Sequence, residues 1–158
     1  NVVAATSNLT GSIWDGRVFG ISGKGSIEAE IELECGITDL CEMEMEGQFL
    51  SACDDGTIRV FHLGGAQKIS GGHNGVASCV AVSGNVGATG GEDRVIQYYD
   101  LEKHTQEPIR VLSHTDSVNS VDWHGDTLVS ASSDGTVRVW DTRNKGSITP
   151  VCAVALGS

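Results

Sequence analysis

Along most of this chain apolar and polar residues alternate with a period of two, and no segment sustains the 3.6-residue period of a helix. Thr136, Arg138 and Trp140 fall on one side of a predicted strand, and Val137, Val139 and Asp141 on the other. Further apolar runs precede such strands at residues 37–41, 76–82 and 118–123, and looser runs at 109–112 and 151–155 read as edge strands. Asp-Gly steps at Asp55 and Asp134 mark tight hairpins, because glycine supplies the positive φ that two-residue turns require. A third such step reads Asp93-Arg94 and is less regular. The pattern predicts an all-β chain of short antiparallel strands.

The chain also repeats itself. Residues 50–63, 88–101 and 129–142 align without gaps, and their shared acids Asp55, Asp93 and Asp134 are 38 and 41 residues apart. Six residues after each acid stands an aromatic: Phe61, Tyr99 and Trp140. Twenty residues before two of the acids stands a histidine, His73 and His114, and the equivalent place before Asp55 holds Cys35. Four strands in roughly 40 residues is the arithmetic of one blade of a β-propeller.

Composition sharpens this. Glycine accounts for 21 of 158 residues with only two prolines, which excludes collagen and Pro-rich tracts and points to many tight turns. Ten basic against 21 acidic side chains leave a net charge of −11, which opposes nucleic-acid phosphates and favours basic partners. No apolar run is long enough for a membrane helix, and no secretory signal opens the chain. Five cysteines, an odd number without close pairing, fit free thiols in a reducing compartment. The chain lacks an initiator Met, so it is expected to be a piece of something longer.

The tract Asp-Gly-Thr-Val-Arg-Val-Trp-Asp ending at Asp141, with its upstream His, resembles the signature of the WD-repeat β-propeller family. That resemblance covers about residue 37 onward. It implies a buried hydrogen-bonded set in each copy: His114, Ser130, Asp134 and Trp140 in full, and His73, Thr89 and Asp93 with Tyr99 in place of the indole. Ser51 and Asp55 belong to a copy whose Phe61 cannot donate. A buried carboxylate without partners costs several kcal/mol, roughly, which is the physical reason for such a set. The implied fold is about three and a half four-stranded blades: an incomplete first blade at 1–35, then blades at 36–72, 73–113 and 114–158. Since WD-repeat rings usually close with seven blades, a half-ring is expected. A four-bladed closure and two chains sharing one ring are the alternatives.

The first forty residues carry a second resemblance. Residues 3–21, with Trp14-Asp-Gly16 inside them, and Gly36-Ile-Thr-Asp-Leu40 are similar to the first blade of the WD-repeat partners of type II protein arginine methyltransferases, the methylosome scaffolds. The resemblance implies a non-catalytic scaffold of cytoplasm and nucleus. It would hold the enzyme through Trp14 and Phe19 and present basic histone or splicing-protein tails. The plainer alternative is that Trp14 and Phe19 pack between blades. Glu28, Glu30, Glu32 and Glu34 alternate with apolar residues, as do Glu42, Glu44 and Glu46. These carboxylates either block edge pairing or gather Arg/Lys-rich segments, and both roles can coexist.

Other chemistries fit less well. Ser130, His114 and Asp134 are the residue types of a hydrolytic triad, but a hydroxyl packed on Trp140 with no nucleophile elbow is not a nucleophile. No Cys-x-x-Cys or His-x-x-x-His occurs among Cys35, Cys41, Cys53, Cys79 and Cys152, so neither metal nor other cofactor is expected. Cys53, Cys79 and Cys152 read as small apolar strand fillers, and His62, His104 and His124 as turn or surface residues. The Gly71-Gly72 and Gly90-Gly91 pairs precede no helix, so they form no phosphate cradle. Asp141-x-Arg143 also resembles a motif of WD-repeat ubiquitin-ligase substrate receptors, which keeps a generic adaptor as the rival function. In the plain alternative Arg143 merely pairs with Asp141. A propeller hydrolase is the remaining rival.

Overall fold

The computed structural model describes residues 2–10, 13–44, 47–62, 65–69, 72–103, 108, 110–143 and 149–155. Among them are fifteen strands in four antiparallel sheets, and no helix is long and apolar enough to cross a membrane. The first sheet is β1 (Val2–Thr10), β2 (Ile13–Ile21) and β3 (Ile27–Leu33). The second is β4 (Ile37–Glu42), β5 (Gln48–Cys53), β6 (Ile58–His62) and β7 (Gly65–Ile69). The third is β8 (Ala77–Ser83), β9 (Val86–Gly91), β10 (Val95–Asp100) and β11 (Arg110–Ser113), and the fourth is β12 (Val118–His124), β13 (Thr127–Ser132), β14 (Thr136–Asp141) and β15 (Cys152–Ala155). Each sheet is a meander in chain order, as expected when every connection is a hairpin.

The sheets stand side by side with their first strands in contact, β4 against β8 and β8 against β12. Three apolar layers join them. Val18, Leu33, Cys35, Cys53 and Phe61 lie between the first and second sheets. Leu50, Ile58, Val60, Val80, Tyr99 and Leu101 fill the next layer, and Ala88, Ile96, Tyr98, Leu112, Val121, Leu128 and Trp140 the third. Burial on both faces explains why β5 and β9 lose the half-buried alternation that β3 keeps. Among the described residues the fourth sheet has neighbours on one face only. Its β14 is mostly half-buried, and β15 is exposed throughout. Cys152 therefore sits in the open, correcting the expectation of a buried strand filler, while Cys53 and Cys79 are buried.

A device the sequence did not announce repeats along the first strands. Those of the second, third and fourth sheets open with a register shift, between Ile37 and Asp39, Ala77 and Cys79, and Val118 and Ser120. A bulge re-aims the extra residue. In two of the three, that residue's hydroxyl crosses to the next sheet: Thr38 donates to the Ala77 carbonyl and Ser78 to the Val118 carbonyl. Ser7 Oγ reaches the Ile37 carbonyl (2.6 Å) in the same way, and Asp39 Oδ2 accepts from the Val80 amide at 2.9 Å.

Candidate functional site

The turn after the second strand of the fourth sheet assembles the fullest polar cluster. Gly135 takes φ of +77°, which turns the chain so that the Asp134 carboxylate folds back beneath it. His114, on the link from β11 to β12, has a fully buried ring, and the Asp134 side chain is only 5% exposed. His114 Nδ1–H donates to Asp134 Oδ2 (3.0 Å), Ser130 Oγ lies 2.7 Å from Nε2, and Trp140 Nε1–H donates to Ser130 Oγ at 2.8 Å. A neutral imidazole satisfies the whole line, with indole donating to hydroxyl, hydroxyl to Nε2, and Nδ1 to carboxylate. The indole thus reaches the acid only through Ser130 and His114.

Asp134 collects more partners than the sequence pattern indicated. Its oxygens accept from the Thr136 amide (2.9 Å) and hydroxyl (2.5 Å), the Thr115 amide (3.1 Å) and Arg138 Nη2 (3.2 Å). Burial pushes this carboxyl up, but the bonds from Thr136, Thr115 and His114 together outweigh it and hold it well below the usual carboxylate range. For His114, burial lowers the pKa, the Asp134 hydrogen bond opposes that, and the Arg138 charge adds to the lowering, so the ring is neutral at neutral pH. Thr136 and Arg138 were legible all along, since Asp-Gly-Thr-x-Arg recurs at Asp55–Arg59 and Asp134–Arg138.

The third sheet builds a variant. His73 Nδ1–H donates to Asp93 Oδ1 and its Nε2 meets Thr89 Oγ1, both at 2.8 Å. Tyr99 stands where Trp140 stands, donates to Gln97 Oε1, and is pushed up to about 12 by burial. Arg94 replaces the turn glycine and adopts φ of +71°. Asp93 is 12% exposed against 5% for Asp134.

The second sheet lacks the set, and the expected grouping of Ser51 with Asp55 is corrected. Ser51 is fully buried, with Oγ 3.7 Å from Cys53 Sγ and 3.5 Å from the Arg59 carbonyl. Asp55 is 39% exposed and accepts from the Thr57 amide (2.9 Å), the Thr57 hydroxyl (2.6 Å) and Arg59 Nη2 (3.4 Å). With Cys35 in place of an imidazole, nothing bridges serine to aspartate. The ligand atoms of Cys35, Cys53 and Asp55 lie within 4.8 Å of one another, a grouping hidden by their scattered numbers.

The surface candidates separate. Phe19 is half-buried in the middle of β2, opposite Ala4 and Glu30. Trp14 lies on the same strand, but its side chain falls outside the described residues, as do Glu46 and His104 altogether. Glu28, Glu30 and Glu32 line β3, the outermost strand of the first sheet, and Glu34 follows it, all exposed. Arg17 is paired with Glu30 (2.8 Å) and Glu32 (3.1 Å). Glu42 ends β4, the innermost strand of the second sheet, and Glu44 Oε1 accepts from the Gly84 amide at 3.1 Å. The acidic residues therefore occupy two places in the fold. His62 and His124 are exposed at strand ends. Arg143 Nη2 pairs with Asp141 at 2.7 Å, as in its plain alternative.

Comparison with known proteins agrees with this architecture. The model of the WD domain, G-beta repeat, matches residues 30–62 and 106–141. Ribosome biogenesis protein YTM1 of Coccidioides immitis is 32% identical over 118 residues, covering 68% of this chain and 25% of that protein. Mitochondrial division protein 1 of Aspergillus terreus is 30% identical over 129 residues, covering 60% of this chain and 20% of that protein. A chain in the crystal structure of the Mitotic Checkpoint Complex, 19% identical, shares the fold with a TM-score of 0.75 over 96% of this chain and 46% of its own. The chain spans a quarter or less of these curated relatives. Neither is named for a methyltransferase, so the likeness to the methylosome scaffolds rests on residues 3–21 and 36–40 alone. Four meander sheets, the His–Ser–Asp–Trp line and these matches together identify the chain as a member of the WD40-repeat family.

Proposed function

We propose that this chain is part of a non-catalytic WD-repeat scaffold that binds a protein arginine methyltransferase and gathers basic substrate segments. The observation that carries the non-catalytic reading is Ser130: the residue is 1% exposed and its hydroxyl is engaged by both His114 and Trp140, which leaves it no approach to a substrate carbonyl. Scaffolds of this kind work by docking, and half-exposed aromatics such as Phe19 are the side chains that dominate interface energies. The carboxylates of β3, backed by the −11 net charge, favour encounter with Arg/Lys-rich tails. The finer assignment draws its support from the resemblance of residues 3–21 and 36–40.

Titrating the chain against a type II arginine methyltransferase in a pull-down tests it. Phe19→Ala is expected to weaken association about tenfold with an unchanged fold, the size of one interface anchor of modest strength. Unchanged affinity defeats the enzyme-binding assignment. A generic adaptor is the second reading, favoured by the family of the relatives. In that case co-purification returns other partners, and the methyltransferase fails to bind at all.

A further inference from the structure

The second sheet's departure from its sister copies is a paired substitution. Cys35 takes the place of His73 and His114, and in the same alignment Cys53 takes the place of Gly91 and Ser132. In the third sheet a Cβ at Gly91 would stand 2.5 Å from His73 Nδ1, whereas the fourth sheet carries both His114 and Ser132; the second sheet is the copy that places a thiol at each of the two positions. Cys35 is 1% exposed and Cys53 not at all, their sulfurs lie within 4.8 Å, Phe61 packs in the same apolar cluster, and Ser51 Oγ lies 3.7 Å from Cys53 Sγ. Neither cysteine belongs to the polar line that the other copies use.

We propose that Cys35 and Cys53 are a buried redox pair that closes to a reversible disulfide under peroxide, tying the link between the first and second sheets to the end of β5. Cys53 is the attacking member, its Sγ standing 3.7 Å from the Ser51 hydroxyl. The hydrogen bond from the Cys35 thiol lowers its pKa, burial opposes this, and the Ser51 and Thr57 hydroxyls and the Arg59 charge add to the lowering. The Cys53 thiolate attacks one peroxide oxygen, the O–O bond breaks, and Cys53 sulfenic acid forms as hydroxide departs. Cys35 sulfur then displaces hydroxide from the sulfenic sulfur, and its proton leaves with that hydroxide as water. Two thiols are oxidised and one peroxide is reduced. A small uncharged oxidant is the kind that can reach buried thiols, and their neighbour Asp55 is 39% exposed.

The same three ligand atoms invite a cation, but Arg59 Nη2, 3.4 Å from Asp55 Oδ2, places a positive charge where a metal would need the carboxylate. A dithiol carries no such conflict.

The test uses the full chain with Cys152→Ser, which removes the exposed thiol. Reduced protein is treated with equimolar hydrogen peroxide, quenched with an alkylating agent and peptide-mapped. The expected result is a linked peptide joining Cys35 to Cys53, a thiol count lower by two, and recovery of both thiols with dithiothreitol. Cys35→Ser and Cys53→Ser should each abolish the linked peptide. If a serine variant does not fold, the map of the Cys152→Ser parent decides by itself. Both cysteines recovered alkylated, Cys53 found only as sulfinic acid, or stoichiometric zinc in the purified chain that blocks oxidation would each overturn the proposal.

Discussion

The second and fourth sheets carry the same Asp-Gly-Thr-x-Arg tract on the same hairpin, yet they close it differently. In the fourth, His114 spans from Asp134 to Ser130 and the carboxylate is nearly covered. In the second, Cys35 cannot span the gap, and Asp55 is left facing solvent beside Arg59 and Thr57. The hairpin therefore does not need the buried line in order to form. Backbone propensity and the turn glycine make the hairpin, and the polar line adds a fixed connection between one sheet's entry and its middle strands. Where the line is missing, the space returns to apolar packing around Phe61 and the two thiols.

Breaking the full line should have the largest effect. His114→Ala removes one partner from each of Ser130 and Asp134, and is expected to lower stability by about 3 kcal/mol in urea unfolding, as for removal of one partner from a buried charged network. Cys35→Ala, at the same place in the second sheet, should cost roughly 1 kcal/mol, because it removes a small apolar contact without orphaning a polar group. Equal losses would show that the line is worth no more than its packing. Next comes Trp140→Phe, which copies Phe61. Ser130 loses its indole donor, and a loss of about 1–2 kcal/mol is expected, with Phe61→Tyr giving no matching gain.

Acid should act through the fourth sheet before the second. Unfolded His114 takes up a proton near its ordinary value of 6.5, whereas the folded ring resists protonation, so its contribution to stability is lost as the pH falls through and below that value. Asp134 is held below its ordinary 3.8, so its contribution is present above that value and disappears as the pH falls further. Stability measured by chemical unfolding should drop between pH 7 and pH 5, with a shallower slope in His114→Gln. An unchanged slope would remove His114 from the account. A gentler version moves part of the feature: Cys35→His with Cys53→Ser places the fourth sheet's histidine and Ser132 equivalent in the second, with Phe61 kept in place of the indole. A new histidine ring resonance with a slowly exchanging Nδ1–H is the expected NMR signature.

The smallest effect concerns the turns. Gly56 and Gly135 hold φ of +78° and +77°, and Arg94 holds +71° at the matching place. Arg94→Gly relieves the side-chain penalty of the left-handed region and should stabilise the chain by roughly 0.5–1 kcal/mol. No change in the thermal midpoint would mean that the arginine side chain compensates for its backbone.

Much of this was written in the residue pattern. Alternation with period two, Asp-Gly steps and repeats near 40 residues specify strands and hairpins locally, since each depends only on neighbours in the chain. The offsets of His114 and Trp140 from Asp134 were readable too, and the resemblance to the WD-repeat family implied the line that joins them through Ser130. The hydroxyl crossings of Thr38 and Ser78 were not readable, because they depend on bulges that re-aim single residues toward another sheet. Nor was the split of the glutamates, which one continuous run of sequence concealed. The step from β3 to β4 passes from the outermost strand of one sheet to the innermost strand of the next.

The chain by itself thus determined the kind of elements, their repeat and the partners made within one repeat, all matters of short-range geometry. Only the tertiary structure decided which face of each sheet is covered, which sulfur meets which, and which acids share a surface. Those outcomes depend on how whole sheets lie against one another. Cys35 and Cys53 illustrate the difference: eighteen residues apart and unremarked as a pair, they become neighbours because one residue precedes the innermost strand and the other ends the strand beside it.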